Sequence, residues 1–123
     1  MSRVDLKSMT VEELVNRFAR LGIEQDQAQL HSNIRRVNRL FDEIEVIKAE
    51  LKARGDDARN ALQALHTHPN MQVRLKAAIA TLGVARSSAR KVLEDIIDAK
   101  EYPQTANASG ILSALDEGSY VPD

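Results

Sequence analysis

Apolar side chains in this chain recur at intervals of three and four residues from Leu14 to Leu115, and no stretch alternates apolar and polar residues for long. That period belongs to the α-helix, where residues i, i+3, i+4 and i+7 share a face; strand faces alternate every two residues. Glycine and proline are few, five and three in 123 residues, and most stand between apolar stripes, where they punctuate helices. The pattern predicts an all-α chain of about six helices.

Local signals suggest where each helix begins and ends. Thr10 with Glu13 has the spacing of a capping box, followed by the stripe Leu14, Val15, Phe18 and Leu21, with Gly22 as a stop. Residues 1–9 read as a loose lead-in. A second helix is predicted over about residues 26–53, roughly 40 Å long, with a stripe of Leu30, Ile34, Val37, Phe41, Ile44, Ile47 or Lys48, and Leu51, and a stop at Arg54-Gly55. Asp56-Asp57 suits a third helix N-terminus, and Pro69 ends that helix near His66-Thr67-His68. Asn70 caps a fourth helix carrying Val73, Ala77, Ala78 and Leu82, closed by Gly83. A fifth follows Ser87-Ser88 with Ala89, Val92, Leu93, Ile96 and Ile97. A sixth runs from Gln104 to Glu117 with Ala108, Ile111, Leu112 and Leu115, ended by Gly118. Short turns make neighbours antiparallel, so the expectation is one domain, 1–123, of three hairpins at about 10–54, 56–83 and 86–117.

Composition narrows the functional classes. Hydrophobic residues at 43% suffice for a packed core, and 17 basic residues against 18 acidic ones argue against both charge-driven disorder and general polyanion binding. With no cysteine, disulfides, thiol nucleophiles and Cys-ligated zinc are excluded. The polar start carries no secretory h-region and no apolar run approaches a membrane span, so a cytoplasmic protein is the expectation.

Candidate chemistry is sparse. His66 and His68, with His31 elsewhere, are the only metal-like feature; a two-residue offset points them apart on a helix, and no metal role is expected. The acids mostly sit at helix starts or on polar faces. Asp42 and Glu45 border the core stripe, but no nucleophile or oxyanion motif accompanies them, and no glycine-rich phosphate loop is present. No catalytic residue and no cofactor is assigned. Basic clusters at Arg35, Arg36, Arg39 and at Arg86, Arg90, Lys91 are flanked by acids, with Arg39–Glu43 and Arg90–Glu94 at ion-pair spacing.

The segment from Leu62 to Gly83, with its leucine-rich helix, Pro69 turn, Val73-Arg74 and paired Ala77-Ala78, resembles a HEAT-type helical repeat. More widely, Leu40-Phe-Asp-Glu-Ile, Glu50-Leu-Lys-Ala-Arg-Gly, His68-Pro-Asn, Val73-Arg-Leu-Lys-Ala-Ala and Ala114-Leu-Asp-Glu-Gly resemble a small bacterial HEAT-like domain family of unknown function. The resemblance implies a short, right-handed HEAT/armadillo-like stack and an Arg74 that commonly bonds an acidic residue in neighbouring turns. Such stacks present a concave surface. The expected function is therefore a non-enzymatic protein-binding module or adaptor, which could neutralise or scaffold its partner. Arg36, Arg39, Glu43, Gln72 and Lys76 are the candidate contact residues. The alternatives are a HEAT-like nucleic-acid binder and a small hydrolase or other enzyme with an unrecognised site.

Overall fold

The computed structural model describes residues 5–123. Among these there are six α-helices and no strand: α1 (Val11–Leu30), α2 (Ile34–Ala53), α3 (Asp56–Asn60), α4 (Met71–Thr81), α5 (Arg86–Ala99) and α6 (Gln104–Glu117), with 3-10 turns at Leu6–Ser8 and Ala61–Thr67. No helix among the described residues is long and apolar enough to cross a membrane. The chain divides into two compact units, Met1–Ala61 and Leu62–Asp123. This boundary falls inside the segment expected to form the middle hairpin.

In the first unit, α1 packs along α2, and α2 also meets α3 and the 3-10 turn at Leu6–Ser8. The capping box forms as its spacing predicts: the Glu13 amide donates to Thr10 Oγ1 at 3.1 Å, and the Thr10 amide donates to Glu13 Oε1 at 3.0 Å. These bonds hold the Glu13 carboxyl below its ordinary pKa. Gly22, however, does not stop the helix. It is buried mid-helix, and α1 continues to Leu30. A lone glycine costs a helix only about 1 kcal/mol, and the helix-forming Ile23-Glu24-Gln25 that follows offers no capping chemistry.

The break comes instead at His31-Ser32-Asn33. Ser32 takes the left-handed conformation at φ 53°. Its amide donates to Gln29 O at 3.0 Å, and the Asn33 amide donates to Ala28 O at 2.9 Å. This pair of bonds is the Schellman arrangement, which satisfies the last carbonyls of α1. Asn33 then caps α2, its side chain accepting from the Arg36 amide at 3.1 Å. Leu30 and Ile34 therefore lie on different helices, 76% and 72% exposed, and Phe41 is 44% exposed. The buried stripe of α2 is Leu40, Ile44, Ile47 and Leu51.

Of the expected lead-in, residues 1–4 lie outside the described residues. The rest is tied down: Arg54 donates to Leu6 O at 2.9 Å and to Lys7 O at 3.3 Å while pairing with Glu50 at 2.9 Å. Gly55 precedes α3 at φ 109° and ψ 174°, a region essentially reserved for glycine.

In the second unit α4 packs on α5, α5 on α6, and α4 more lightly on α6. One core runs through all three, with Leu75, Ala78, Leu82, Ala89, Leu93, Ile96 and Ala108 at 1% exposure or less. Asn70 caps α4 by accepting from the Val73 amide at 3.1 Å, as its position predicts. Ala77 and Ala78 are completely buried. Thr105, at the start of α6, donates to Ile96 O at 2.8 Å and accepts from the Glu101 amide at 2.9 Å, which fixes the α5–α6 turn. Gly118, at φ 81°, ends α6, and Tyr120 in the extended tail folds back onto the core.

Candidate functional site

The first unit carries an open groove of about 680 Å³ between α1 and α2. Its floor is Leu21 and Leu40, and its rim is charged. Two copies of one sequence pattern build it. Arg17-Phe18-Ala19-Arg20-Leu21-Gly22-Ile23-Glu24 on α1 and Arg36-Val37-Asn38-Arg39-Leu40-Phe41-Asp42-Glu43 on α2 both read Arg-x-x-Arg-Leu-x-x-Glu. Positions i, i+3, i+4 and i+7 share a helix face, so each copy presents Arg, Arg, Leu and Glu together.

Because the helices run antiparallel, the first arginine of each copy meets the glutamate that ends the other. Arg17 Nη2 lies 3.6 Å from Glu43 Oε1, and Arg36 Nη2 donates to Glu24 Oε1 at 3.1 Å. These half-exposed pairs set the geometry of the rim more than they add stability. The middle arginines, Arg20 and Arg39, are exposed, line the same groove, and have no ion-pair partner among the described residues. The groove thus ends in two Arg–Glu clamps, with two free guanidinium groups over an apolar floor.

The five expected contact residues fare differently. Arg36 and Glu43 are in the clamps, and Arg39 is one of the two free arginines. Gln72 requires a correction: it is 2% exposed and accepts from Gln104 Nε2 at 2.9 Å, so it belongs to the interior. Its helix is covered on most sides, with Gln72, Val73, Leu75, Ala77, Ala78, Ala80 and Thr81 all buried, and no broad polar face remains. Lys76 on the same helix is half-buried and engaged by a neighbour. Arg20 is the member that reading each helix separately misses. The repeated eight-residue pattern was the available signal.

Several other charged residues pair within the fold. The expected Arg39–Glu43 pair gives way to Arg17–Glu43. Arg90 meets Glu94 at 3.9 Å, but its stronger partner is Asp116, bound through two hydrogen bonds of 2.9 and 3.1 Å. Those bonds hold the Asp116 carboxyl below its usual value. Lys91 pairs with Asp95 at 2.7 Å and Glu45 with Lys48 at 3.3 Å, while Asp42 is exposed. Arg74 donates to His68 O at 2.7 Å and Pro69 O at 3.1 Å: the structural arginine satisfies turn carbonyls in place of an acid.

The histidines are also engaged. His31 Nδ1 bonds Gln27 O at 2.8 Å, and His68 Nδ1 accepts from the Asn70 amide at 3.0 Å. His66 Nε2 lies 2.9 Å from Thr81 Oγ1, and Nδ1 lies 3.3 Å from Ser88 Oγ. Thr81 spends its own proton on Ala77 O at 2.8 Å, so the ring donates from Nε2 to Thr81 Oγ1. His66 thereby fastens the 3-10 segment to α4 and α5. Among the described residues, no three His, Asp or Glu side chains form a metal-binding group.

Burial lowers the pKa of His66, an effect partly offset by a backbone hydrogen bond to Ala77. A depressed folded pKa contributes stability that is present above the unfolded value, near 6.5, and is lost as pH falls through the folded value. Urea midpoints measured from pH 7.5 down to pH 5 are expected to fall in the native protein. His66→Gln should remove the histidine-dependent part of that fall; an unchanged pH profile would refute the assignment.

A family model described as a domain of unknown function, DUF2019, matches residues 12–116. The chain belongs to this family. The DUF2019 match covers both capped hairpin helices of the groove and runs nearly to the end of α6. Among solved structures, the chain is similar to the crystal structure of the protein RPA1889 from Rhodopseudomonas palustris CGA009. That likeness has a TM-score of 0.94 and 47% sequence identity, and covers 98% of this chain and 100% of that one. No curated protein matches the chain.

Proposed function

We propose that this DUF2019 chain is a non-enzymatic protein-binding module whose contact surface is the α1–α2 groove. The observation that carries the reading is the doubled Arg-x-x-Arg-Leu-x-x-Glu face, which leaves Arg20 and Arg39 free beside Leu21 and Leu40. Arginine is enriched among residues that dominate protein interfaces. We further infer that Leu62 to Gly83 is a HEAT-type unit. Buried Val73, Ala77 and Ala78 and the turn-bonding Arg74 support this.

Nucleic-acid binding is the competing class. Its second basic cluster is largely neutralised, Arg90 by Asp116 and Lys91 by Asp95. Affinity capture from the native host, followed by mass spectrometry, tests the reading. A protein recovered with the native chain and lost with Arg20→Glu/Arg39→Glu supports it. Recovery of nucleic acid alone, or of the same proteins regardless of the substitutions, refutes it.

A further inference from the structure

We infer that the α1–α2 groove recognises an acidic segment of a protein partner, with two carboxylates bound by Arg20 and Arg39. This names the partner's chemistry and rests on the protein-binding reading above.

In each copy of the eight-residue pattern the outer arginine already has a glutamate, Arg17 with Glu43 and Arg36 with Glu24. If the rim served only to balance charge across the hairpin, one arginine per copy would be enough. The second arginine of each copy, placed next to the floor leucine, leaves an excess of positive charge in the middle of the groove. The two clamps hold Glu43 on Arg17 and Glu24 on Arg36, and among the described residues neither glutamate forms an ion pair with Arg20 or Arg39. A guanidinium binds a carboxylate through two parallel hydrogen bonds, a geometry that an ammonium cannot reproduce.

The rim separates a short acidic segment from a bare polyanion. Leu21 and Leu40 are 3% and 2% exposed and leave almost no apolar surface to cover, and the Arg17–Glu43 and Arg36–Glu24 clamps interrupt the positive charge on either side of the central arginines. The two central arginines come from equivalent positions of antiparallel helices. The partner therefore needs two carboxylates, one for each arginine. Nucleic acid would instead favour a continuous basic track with stacking aromatics, and the groove lining holds no aromatic residue.

The test is fluorescence anisotropy with a labelled peptide of repeated Glu-Leu-Glu, its Gln-Leu-Gln counterpart, and a single-stranded oligonucleotide of similar length. The native protein is expected to bind the acidic peptide saturably and the glutamine peptide much more weakly. Affinity for the acidic peptide should fall by about tenfold or more in Arg20→Glu/Arg39→Glu. The Arg20→Gln/Arg39→Gln variant, which introduces no new charge, should show a loss in the same direction, with circular dichroism confirming that both variants fold. Absence of acidic-peptide binding at low salt overturns the proposal. So does binding of the two peptides with equal affinity, or an oligonucleotide that binds through the same arginines and displaces the peptide. If the peptide fails to bind but the double variant still releases a captured protein, the acidic chemistry falls and the protein-binding reading stands. If neither is observed, both fall.

Discussion

Replacing Phe18 by alanine is expected to destabilise the chain by about 3–5 kcal/mol, the range for removing a buried aromatic from a packed core. Phe18 is completely buried on α1 and is the largest fully buried side chain among the described residues. With only two phenylalanines and no tryptophan in the chain, few other side chains carry comparable volume. The other phenylalanine, Phe41, is 44% exposed, so Phe41→Ala serves as the internal comparison and should cost far less. Chemical denaturation of both variants checks this. Equal losses would mean that the α1 face is not packed as described. Because Phe18 lies between Arg17 and Arg20, the same substitution should also weaken the groove through its scaffold.

Ala78→Leu is expected to cost about 1–3 kcal/mol through overpacking. Ala78 is completely buried in the core shared by α4, α5 and α6, where it packs among Leu75, Leu82, Ala89 and Leu93. A small residue there lets the neighbouring helix approach closely, and three added carbons must displace backbone or force side chains out of their rotamers. Ala106→Leu, at an exposed position of α6, is the matching control. A stable Ala78→Leu protein would show that the small-residue pair at 77–78 is not a tight contact.

Much of the helical framework is legible without coordinates. The Thr10–Glu13 box, the Asn70 cap and the Gly118 terminus are local devices, formed by atoms within a few residues of each other, so their spacing is their structure. The second-unit stripes of α4, α5 and α6 are equally readable, since an apolar face repeated at three and four has one way to be buried. The end of α1 is less so. Gly22 offers a stop that the surrounding helix formers and burial override, whereas Ser32 adopts an unusual left-handed conformation for a non-glycine residue. That error propagates into α2: with the break misplaced, Leu30, Ile34 and Phe41 are wrongly assigned to the core in place of Leu40.

The candidate site divides along the same line. The sequence alone determined that the chain is helical, nearly neutral, free of cysteine, and marked with Arg36, Arg39 and Glu43 on one helix. Only the tertiary structure decided which charges remain available. Pairing across α1 and α2 joins residues more than ten positions apart, such as Arg17 with Glu43 and Arg36 with Glu24, and neither spacing can be read within one helix. Burial of α4 withdrew Gln72 from the surface, and Asp116 reached Arg90 from another helix. The physical reason is range. Caps and periodic faces depend on backbone geometry within a turn or two, whereas a free arginine is defined by every acid that packing does, or does not, bring within about 4 Å.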